Sequence, residues 1–448
     1  MFRFFIALWI SKFLMNFRKL ANSDFPGKAA CKICPKFLKL ISRPKLTICV
    51  TGTNGKSVTS GLVSDFLSSS GMSVSYNERG WNLRSGFAVN LINGVSLLNK
   101  PKVDCVVLES DELIMDTDLV ALKPDYILVT NIAKDDLQRN GHPENTFHHI
   151  EKAFRLLGEG TTAILNANDP ISSRLDEGGR RIYFAMSDTR SKAYVGKNGD
   201  LTHCPICGAP LRYDFVHYRN IGKYMCSGCD FKTPHAEYTA EFVDFDTRTM
   251  VINGFRYSLI SGSLYNAFNV LSVIALFRDM GYREEEIAAF LEKGGVSEQT
   301  ETRTVYGGKE IGLFNVDTGN SSAASTIFES LVKDHAFKDV ILFMDRPVGT
   351  DPASENIAWM YDTDFEILNN ANIHNIIFAG PRRNDMKIRL LMAGVPEERM
   401  TVFSSEDDLQ GYRPSASVEK ICIIYDRTRA DEARGIRNNI TALLKEGR

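Results

Sequence analysis

The feature that most constrains the fold of this chain is a short glycine-containing segment that follows an apolar run. Leu46–Thr51 consists of apolar and β-branched residues, which predicts a buried strand. The next six residues are Gly52, Thr53, Asn54, Gly55, Lys56 and Ser57. Residues 57–70 have the composition of a helix that stops at Gly71. A strand, a glycine turn and a helix in this order are typical of a loop that binds phosphate groups.

The residue types in this loop suit a nucleoside triphosphate. Glycines let the backbone turn tightly and direct its N–H groups at phosphate oxygens. Lys56 would contact the outer phosphates, and the Ser57 hydroxyl would bind Mg²⁺. The general pattern has a glycine where this chain has Val50, so the match is to a shorter variant of the motif. We predict a nucleotide site here; the alternative is a purely structural turn.

Acidic residues at the end of a second predicted strand are candidates for the accompanying metal ion. Residues 104–109 form an apolar run that ends in Glu109, and Asp111 and Glu112 follow it. In open parallel sheets, ligands bind at the carboxyl ends of the strands. We therefore predict that Glu109 is a magnesium ligand, the alternative being a solvated acidic turn.

Apolar runs alternate with helix-like stretches on both sides of a cysteine-rich segment, which predicts parallel sheets. The other strand candidates are 126–131, 162–166, 312–316, 340–344, 376–379 and 420–425. The clearest further helix candidates are 143–157, 264–280 and 428–444. We predict an α/β fold in three parts, which are a basic segment at 1–45, a nucleotide-binding domain at 46–294 and a Rossmann-like domain at 295–448.

The first 45 residues are strongly basic in a chain whose formal net charge is −2. They contain ten Lys and Arg residues and one acid, Asp24. The apolar run at 2–17 is interrupted by Lys12, and it is too short and too charged to span a bilayer. Two interpretations stay open for this amphipathic helix: packing on the next domain, or peripheral contact with an anionic membrane face.

Six of the nine cysteines form three closely spaced pairs, of which Cys31 and Cys34 have no second pair nearby and are interpreted as structural or incidental. The other two pairs lie near each other. Cys204 pairs with Cys207 and Cys226 with Cys229, and eighteen residues separate the pairs. This is the spacing of a closed, tetrahedral zinc site, so residues 201–235 are predicted to be an inserted zinc ribbon with a structural role. The loop between the pairs carries few cations, so we do not expect nucleic-acid binding. This use of cysteine favours a reducing compartment, the cytoplasm.

With these residues in view, the chain resembles the Mur ligase family over nearly its whole length. The resemblance is carried by TGTNGKS at 51–57, VLESDE at 107–112, TNIAKDDLQRNG at 130–141, SLYNAFNV at 263–270 and MYDTDFE at 360–366. The ribbon in the central domain adds to it. The resemblance implies a Mur ligase-like central ATPase domain that carries the zinc ribbon, followed by an α/β ligase domain.

The resemblance also implies a reaction. In the branch of the family with this C-terminal domain, ATP phosphorylates the α-carboxylate of D-glutamate in the stem peptide of lipid II. Ammonia from a separate GatD-like glutamine amidotransferase subunit then gives D-isoglutamine. By position, Asn266 and Asn269 would lie near the adenine, and Asp351 would act in the amide-forming step. The implied cofactors are ATP, Mg²⁺ and Zn²⁺, and the implied location is the cytoplasm or the inner face of the membrane.

Two other functions stay open. The chain would be an amino-acid ligase if its nucleophile were an amino acid, or a catalytically weakened nucleotide-binding scaffold. The intact phosphate loop and Glu109 favour an enzyme, whereas family signatures that are altered near Gln299 and Gly319 favour the scaffold. Cys49, Cys105 and Cys422 lie in apolar strand candidates, so the use of glutamine would require a partner subunit.

Overall fold

The computed structural model describes residues 1–77, 81–134, 141–175, 179–188, 201–293, 301–316, 321–344, 357–409 and 411–446. The chain forms two compact units. The first comprises Met1–Ala133, His142–Val195 and Gly199–Ser297, and the second is mainly Glu298–Arg448. The predicted boundary after residue 294 lies outside the described residues and stays a prediction.

The first unit is built on one large sheet and a separate hairpin. The sheet strands are β1 Leu46–Thr51, β2 Val74–Tyr76, β3 Cys105–Glu109, β4 Tyr126–Val129, β5 Thr162–Asn166, β6 Arg181–Met186, β9 Tyr238–Asp244, β10 Thr249–Ile252 and β11 Phe255–Ser258, and the hairpin strands are β7 Leu211–Tyr218 and β8 Ile221–Cys226. In the described residues the sheet has nine strands, in the order β11-β10-β9-β6-β5-β4-β1-β3-β2. The seven neighbouring strands β9, β6, β5, β4, β1, β3 and β2 run parallel to one another. β10 is antiparallel to both of its neighbours, β9 and β11.

The position of β1 fixes where a ligand can bind. β1 pairs with β3 on one side and with β4 on the other, so Val50 lies beside Glu109 and Thr51 lies beside Val129. After β1 the chain forms β2 and β3 on one side of β1, and it then crosses to the other side to form β4. In parallel sheets, such a change of direction opens a crevice at the carboxyl ends of the strands. The glycine loop lies at this edge.

Helices cover both faces of the first sheet. They are α1 Phe2–Leu14, α2 Arg18–Ala21, α3 Phe25–Ile33, α4 Phe37–Leu40, α5 Lys56–Ser69, α6 Arg84–Asn93, α7 Pro143–Leu157, α8 Leu264–Asp279 and α9 Glu284–Glu292. Side chains of β1 alternate between the two layers, because successive residues of a strand point to opposite faces. Ile48 and Val50 pack in the core that contains α5 and α8, and Cys49 packs in the core that contains the N-terminal helices.

The second unit has a sheet of its own. Its strands are β12 Glu301–Tyr306, β13 Lys309–Val316, β14 Lys338–Phe343, β15 Ile373–Phe378, β16 Met400–Val402 and β17 Lys420–Asp426. Its helices are α10 Ser321–Lys333, α11 Ala358–Asp362, α12 Arg383–Met392, α13 Glu406–Leu409 and α14 Ala430–Glu446. The strand order is β12-β13-β17-β14-β15-β16, and all pairs except β12–β13 are parallel. The predicted α/β class with parallel sheets is confirmed.

The N-terminal segment packs on the first unit. Phe4, Ala7, Leu8 and Ser11 of α1 are buried, and the first three of them join a core that also contains Phe37. The interpretation of α1 as a helix packed on the next domain is therefore confirmed for this face. Among the described residues, no helix has both the length and the apolar character needed to cross a membrane.

Candidate functional site

The glycine loop connects β1 to α5 in a conformation that only glycine adopts easily. Gly52 and Gly55 have φ angles of 119° and 86°, in the region that L side chains avoid. A Cβ atom at Gly52 would overlap Oγ1 of Thr130, and one at Gly55 would overlap Oδ1 of Asn269. The neighbours of the loop therefore require these two glycines as much as the turn does.

The residues after β4 hold the loop in place. The N–H of Thr53 donates to the carbonyl oxygen of Asn131 at 2.8 Å, and the N–H of Asn54 donates to Asn131 Oδ1 at 3.3 Å. The Thr130 hydroxyl donates to the carbonyl oxygen of Asn54 at 2.7 Å. These contacts within the protein hold the loop in its shape, which lowers the cost of ordering it on binding.

Lys56 is the first residue of α5, and its side chain bends back over the loop. Its ammonium donates to the carbonyl oxygen of Gly52 and lies 2.7 Å from Oε1 of Glu112. Glu112 is buried and begins a short 3₁₀ turn, Glu112–Ile114. The charge of Lys56 is thus held at the loop by acceptors that phosphate oxygens could replace. Ser57, the next residue, is exposed in the first turn of α5.

Glu109 is buried at the carboxyl end of β3, beside the last residues of β1. Its backbone is clamped by Asn77, whose Oδ1 accepts from the Glu109 N–H at 2.8 Å and whose Nδ2 donates to the Glu109 carbonyl at 3.0 Å. The structure therefore brings the predicted metal ligand to the strand next to the phosphate loop. Its role in binding Mg²⁺ stays a prediction.

The two asparagines predicted to lie near adenine are at the start of α8. Asn269 Nδ2 donates to Asn266 Oδ1 at 3.2 Å, and Asn266 Nδ2 donates to the Ser261 hydroxyl at 2.8 Å. Asn269 lies so close to Gly55 that a Cβ atom there would overlap its Oδ1. The structure thus places Asn269 beside the loop and Asn266 next to Asn269. Asp351 lies outside the described residues, and its catalytic role stays a prediction.

The four paired cysteines meet in one cluster. The sulfur atoms of Cys204, Cys207, Cys226 and Cys229 all lie within 4.8 Å of one another. Cys204 and Cys229 are 3.7 Å apart, and Cys207 and Cys226 are 3.4 Å apart. A tetrahedral zinc ion with Zn–S distances of about 2.3 Å spaces its sulfur ligands by about 3.8 Å. The cluster therefore has the dimensions of a four-thiolate zinc site.

Backbone N–H groups in the two knuckles stabilise thiolates. The N–H of Ile206 donates to Cys204 Sγ at 3.4 Å, and the N–H of Gly228 donates to Cys226 Sγ at 3.2 Å. The Gly228 contact is the largest cause that lowers the pKa of Cys226 to about 7, and hydrogen bonds from the other three cysteines add to it. The pKa values of Cys207 and Cys229 are raised by their hydrogen bonds within the cluster, so Cys226 is the thiol most readily ionised. Since metals bind the thiolate form, the knuckles are suited to a metal ion.

The ribbon hairpin is anchored to the sheet and to α8. The Tyr218 ring, at the end of β7, lies 4.3 Å from the Tyr265 ring in α8. On β8, the Tyr224 hydroxyl lies 2.6 Å from the Ser173 hydroxyl. Asn168, in the turn after β5, exchanges backbone and side-chain hydrogen bonds with Gly222. The base of the ribbon therefore packs on the helix that carries Asn266 and Asn269.

Sequence reasoning did not find all the residues that build the site. Asn77 and Asn131 were not predicted, although each lies just after the carboxyl end of a parallel strand, close to where Glu109 ends β3. The position just after a parallel strand is the sequence signal that could have identified both residues. The pairing of Glu112 with Lys56 was also missed, because it depends on a turn after β3 and not on spacing along the chain.

Comparison with known proteins agrees with this geometry. The model of the Mur ligase middle domain matches residues 50–199, and the model of the MurT ligase C-terminal domain matches residues 319–428. The subunit MurT of lipid II isoglutaminyl synthase (glutamine-hydrolyzing) from Staphylococcus aureus strain COL is 29% identical over 386 residues, which are 84% of each chain. The protein of the same name from Streptococcus pneumoniae is 28% identical over 391 residues, covering 86% of this chain and 85% of that one.

A solved structure shares the fold. The pseudomurein peptide ligase type C from Methanothermus fervidus aligns with a TM-score of 0.68 at 18% identity, covering 94% of this chain and 86% of that one. The two domain matches and the similarity to MurT subunits over most of the chain agree with each other. The chain therefore carries a Mur ligase middle domain and a C-terminal domain of the MurT type.

Proposed function

We propose that this chain is the synthetase subunit of an enzyme that amidates lipid II. It would use ATP to convert the α-carboxylate of D-glutamate in the stem peptide to the amide of D-isoglutamine. The observation that carries the proposal is the preformed phosphate loop with Lys56, in a chain similar to MurT subunits over 84% of its length. The name of those relatives supplies the acceptor and the nitrogen source.

The chemistry needs an activated acyl group, because a carboxylate is a poor electrophile. One carboxylate oxygen would attack the γ-phosphorus of ATP, so that an acyl phosphate forms and the bond to ADP breaks. Ammonia would then attack the acyl carbon, phosphate would leave, and one proton would be released. The loop N–H groups and Lys56 would neutralise charge on the phosphates, which is most of what phosphoryl transfer requires of a protein. Asp351 would orient ammonia and accept its proton.

Oxygen donors at the edge of the sheet fit a magnesium ion. The exposed hydroxyl of Ser57 and the carboxylate of Glu109 belong to neighbouring elements at the carboxyl ends of β1 and β3. Mg²⁺ prefers such hard oxygen ligands and bridges phosphate oxygens in phosphoryl transfer. We assign Ser57 and Glu109 as its protein ligands.

The sulfur cluster fits a zinc ion with a structural role. All four ligand positions would be filled by Cys204, Cys207, Cys226 and Cys229, so no position would be left for a substrate. A site of four thiolates also suits a reducing compartment, which supports placing the enzyme on the cytoplasmic side of the membrane.

The cysteines of this chain are poor candidates for hydrolysing glutamine. Burial raises the pKa of Cys105 and of Cys422 to about 12, and it raises the pKa of Cys49 as well. A thiol with a raised pKa is a weak nucleophile at neutral pH. A separate, GatD-like glutaminase subunit would therefore supply the ammonia.

The experiment is mass spectrometry of lipid II after incubation with the purified chain, ATP and Mg²⁺. High ammonia should give the amidated product without a partner, and glutamine should give it only after a glutaminase subunit is added. The mass should change by the difference between OH and NH₂. If an added amino acid is joined to the acceptor and no amide forms, the chain is an amino-acid ligase. If ATP binds and no product forms under any condition, the chain is a scaffold.

A further inference from the structure

Helix α1 is apolar on two opposite faces, and the first unit covers only one of them. Phe4, Leu8 and Ser11 point into the core. On the other side, Phe2, Trp9 and Phe13 are 80%, 51% and 61% exposed. Their spacing places them along one stripe of the helix. A helix that is apolar all round is normally buried all round, so this stripe calls for a second covering surface.

Neighbouring segments extend the stripe into a patch. The Trp9 indole N–H donates to the carbonyl oxygen of Leu97 at 2.9 Å, and both Leu97 and Leu98 are exposed. Phe17, which is half exposed, packs edge-on against Phe13 with ring centroids 5.3 Å apart. We call this set the N-terminal apolar patch: Phe2, Trp9, Phe13, Phe17, Leu97 and Leu98.

The two segments that carry the patch, residues 1–45 and 91–103, are basic. The Lys12 ammonium donates to the Ile92 carbonyl at 2.7 Å, and its pKa is lowered by burial and by the nearby positive charge of Lys102. The exposed cations of residues 1–45 and 91–103 are Arg3, Lys19, Lys28, Lys32, Lys36, Lys39, Arg43, Lys45, Lys100 and Lys102. Asp24 is the only acid in residues 1–45 and 91–103, and it pairs with Lys28 at 3.0 Å. The next acid along the chain, Asp104, hydrogen-bonds Ser73.

We propose that the N-terminal apolar patch docks on an anionic lipid surface. Aromatic and aliphatic side chains flanked by lysine and arginine are what an interfacial helix presents to acidic headgroups. α1 has 13 residues, so it would lie in the plane of the interface and not cross it. A second copy of the chain is a poorer occupant, because two such basic surfaces would repel each other.

The inference deepens the proposed function, and it rests on that function in one respect only. Docking would hold the site beside a membrane that carries a lipid-linked acceptor. Binding to lipid needs neither ATP nor turnover, so it can be measured separately from the reaction.

The test is flotation of the full-length chain with vesicles of phosphatidylglycerol and phosphatidylcholine, compared with phosphatidylcholine alone. The chain should float with the anionic vesicles, and salt should weaken the interaction because surface charges are screened. Trp9 is the most exposed tryptophan in the described residues, so its emission should shift to shorter wavelength on binding. Brominated lipid should quench it.

Variants distinguish lipid binding through the N-terminal apolar patch from nonspecific adsorption of exposed apolar residues. Phe2→Ser with Phe13→Ser should reduce binding about tenfold or more, since both rings would leave water in the bound state. The matched control is Leu156→Ser, which changes an apolar residue on α7 about as exposed as Phe13 and should leave binding unchanged. Circular dichroism should show that both variants fold.

Three results would overturn the proposal. They are no flotation with anionic vesicles, equal flotation of the patch variant, and a dimer that the patch variant converts to a monomer. The activity assay with detergent-solubilised lipid II distinguishes the two proposals. If amidation proceeds and vesicles are not bound, only the docking inference fails. If vesicles are bound and no amide forms, only the proposed function fails.

Discussion

Two constraints meet at Gly55, a positive φ and a close neighbour. Gly71 has almost the same φ, 88° against 86°, but no atom lies near where its Cβ would be. We expect Gly71→Ala to lower the free energy of unfolding by about 1–2 kcal/mol, the cost of the left-handed conformation. Gly55→Ala should cost more and should also weaken ATP binding, because it must displace Asn269. Urea unfolding and calorimetric titration with ATP measure the two effects. If both variants lost the same free energy of unfolding and Gly55→Ala bound ATP with unchanged affinity, this loop would not be the nucleotide site.

Lys56 offers a test of chemistry at the same loop. Lys56→Ala should reduce ATP turnover on the order of a hundredfold to a thousandfold, the usual effect of removing one transition-state donor. The fold should survive, as circular dichroism would show. Lys45→Ala is the control, because Lys45 is an exposed lysine just before β1. Normal turnover in the purified Lys56 variant would refute the assignment.

At this scale the sequence predicts what is local in the chain. The loop residues and the four cysteines are set by short spacings, so their patterns could be found directly. Asn131 supports the loop from 77 positions away, and Asn77 supports Glu109 from 32 positions away. Such contacts depend on which strands pair and in what register, and no short motif encodes that.

Among the structural elements, the ribbon allows the most specific prediction, which concerns its zinc content. The freshly purified chain should contain one zinc ion, and Cys204→Ser or Cys229→Ser should lose it. Cys31→Ser is the control, since Cys31 is a cysteine outside the cluster. Because structural zinc contributes to local folding, chelation should make residues 201–235 more sensitive to limited proteolysis than the rest of the chain. Elemental analysis without zinc would contradict this.

Loss of zinc should also weaken ATP binding at the nucleotide site. At the base of the ribbon, the Tyr218 ring packs at a tilt against Tyr265, which lies at the start of α8, one turn from Asn269. We expect the chelated chain to bind ATP several-fold more weakly, and Tyr218→Leu to do the same with zinc still bound. Titration calorimetry with ATP reports both. Unchanged affinity in each case would mean that the ribbon and the site are independent.

Long periodic elements were predicted well and short ones were not. Helix 143–157 has the predicted bounds, and the strands of the phosphate-loop region differ from the prediction by at most two residues. The hairpin of β10 and β11 was missed, although Asn253 and Gly254 form a two-residue turn with φ angles of 48° and 82°. Asn-Gly between β-rich runs is a strong hairpin signal. β2 has only three residues, too few for a pattern.

For the molecule as a whole, the amide-forming step is the part to test. Asp351→Asn should suppress amidation with either ammonia or glutamine plus partner, while ATP binding is retained, since its role follows nucleotide binding. Asp431→Asn is the control, because Asp431 is a highly exposed acid of the second unit. Mass spectrometry of lipid II and ATP titration give the two readouts. Full amidation by the Asp351 variant would remove this residue from the mechanism.

The supports of the phosphate loop also set when the chain can first bind nucleotide during its synthesis. The motif at 51–57 leaves the ribosome early, but the carbonyl that fixes Thr53 belongs to Asn131, and the side chain against Gly55 belongs to Asn269. A nascent chain therefore carries the motif long before it carries the site. We therefore expect ATP to assist folding only after residue 269 has emerged, more than two hundred residues after the motif.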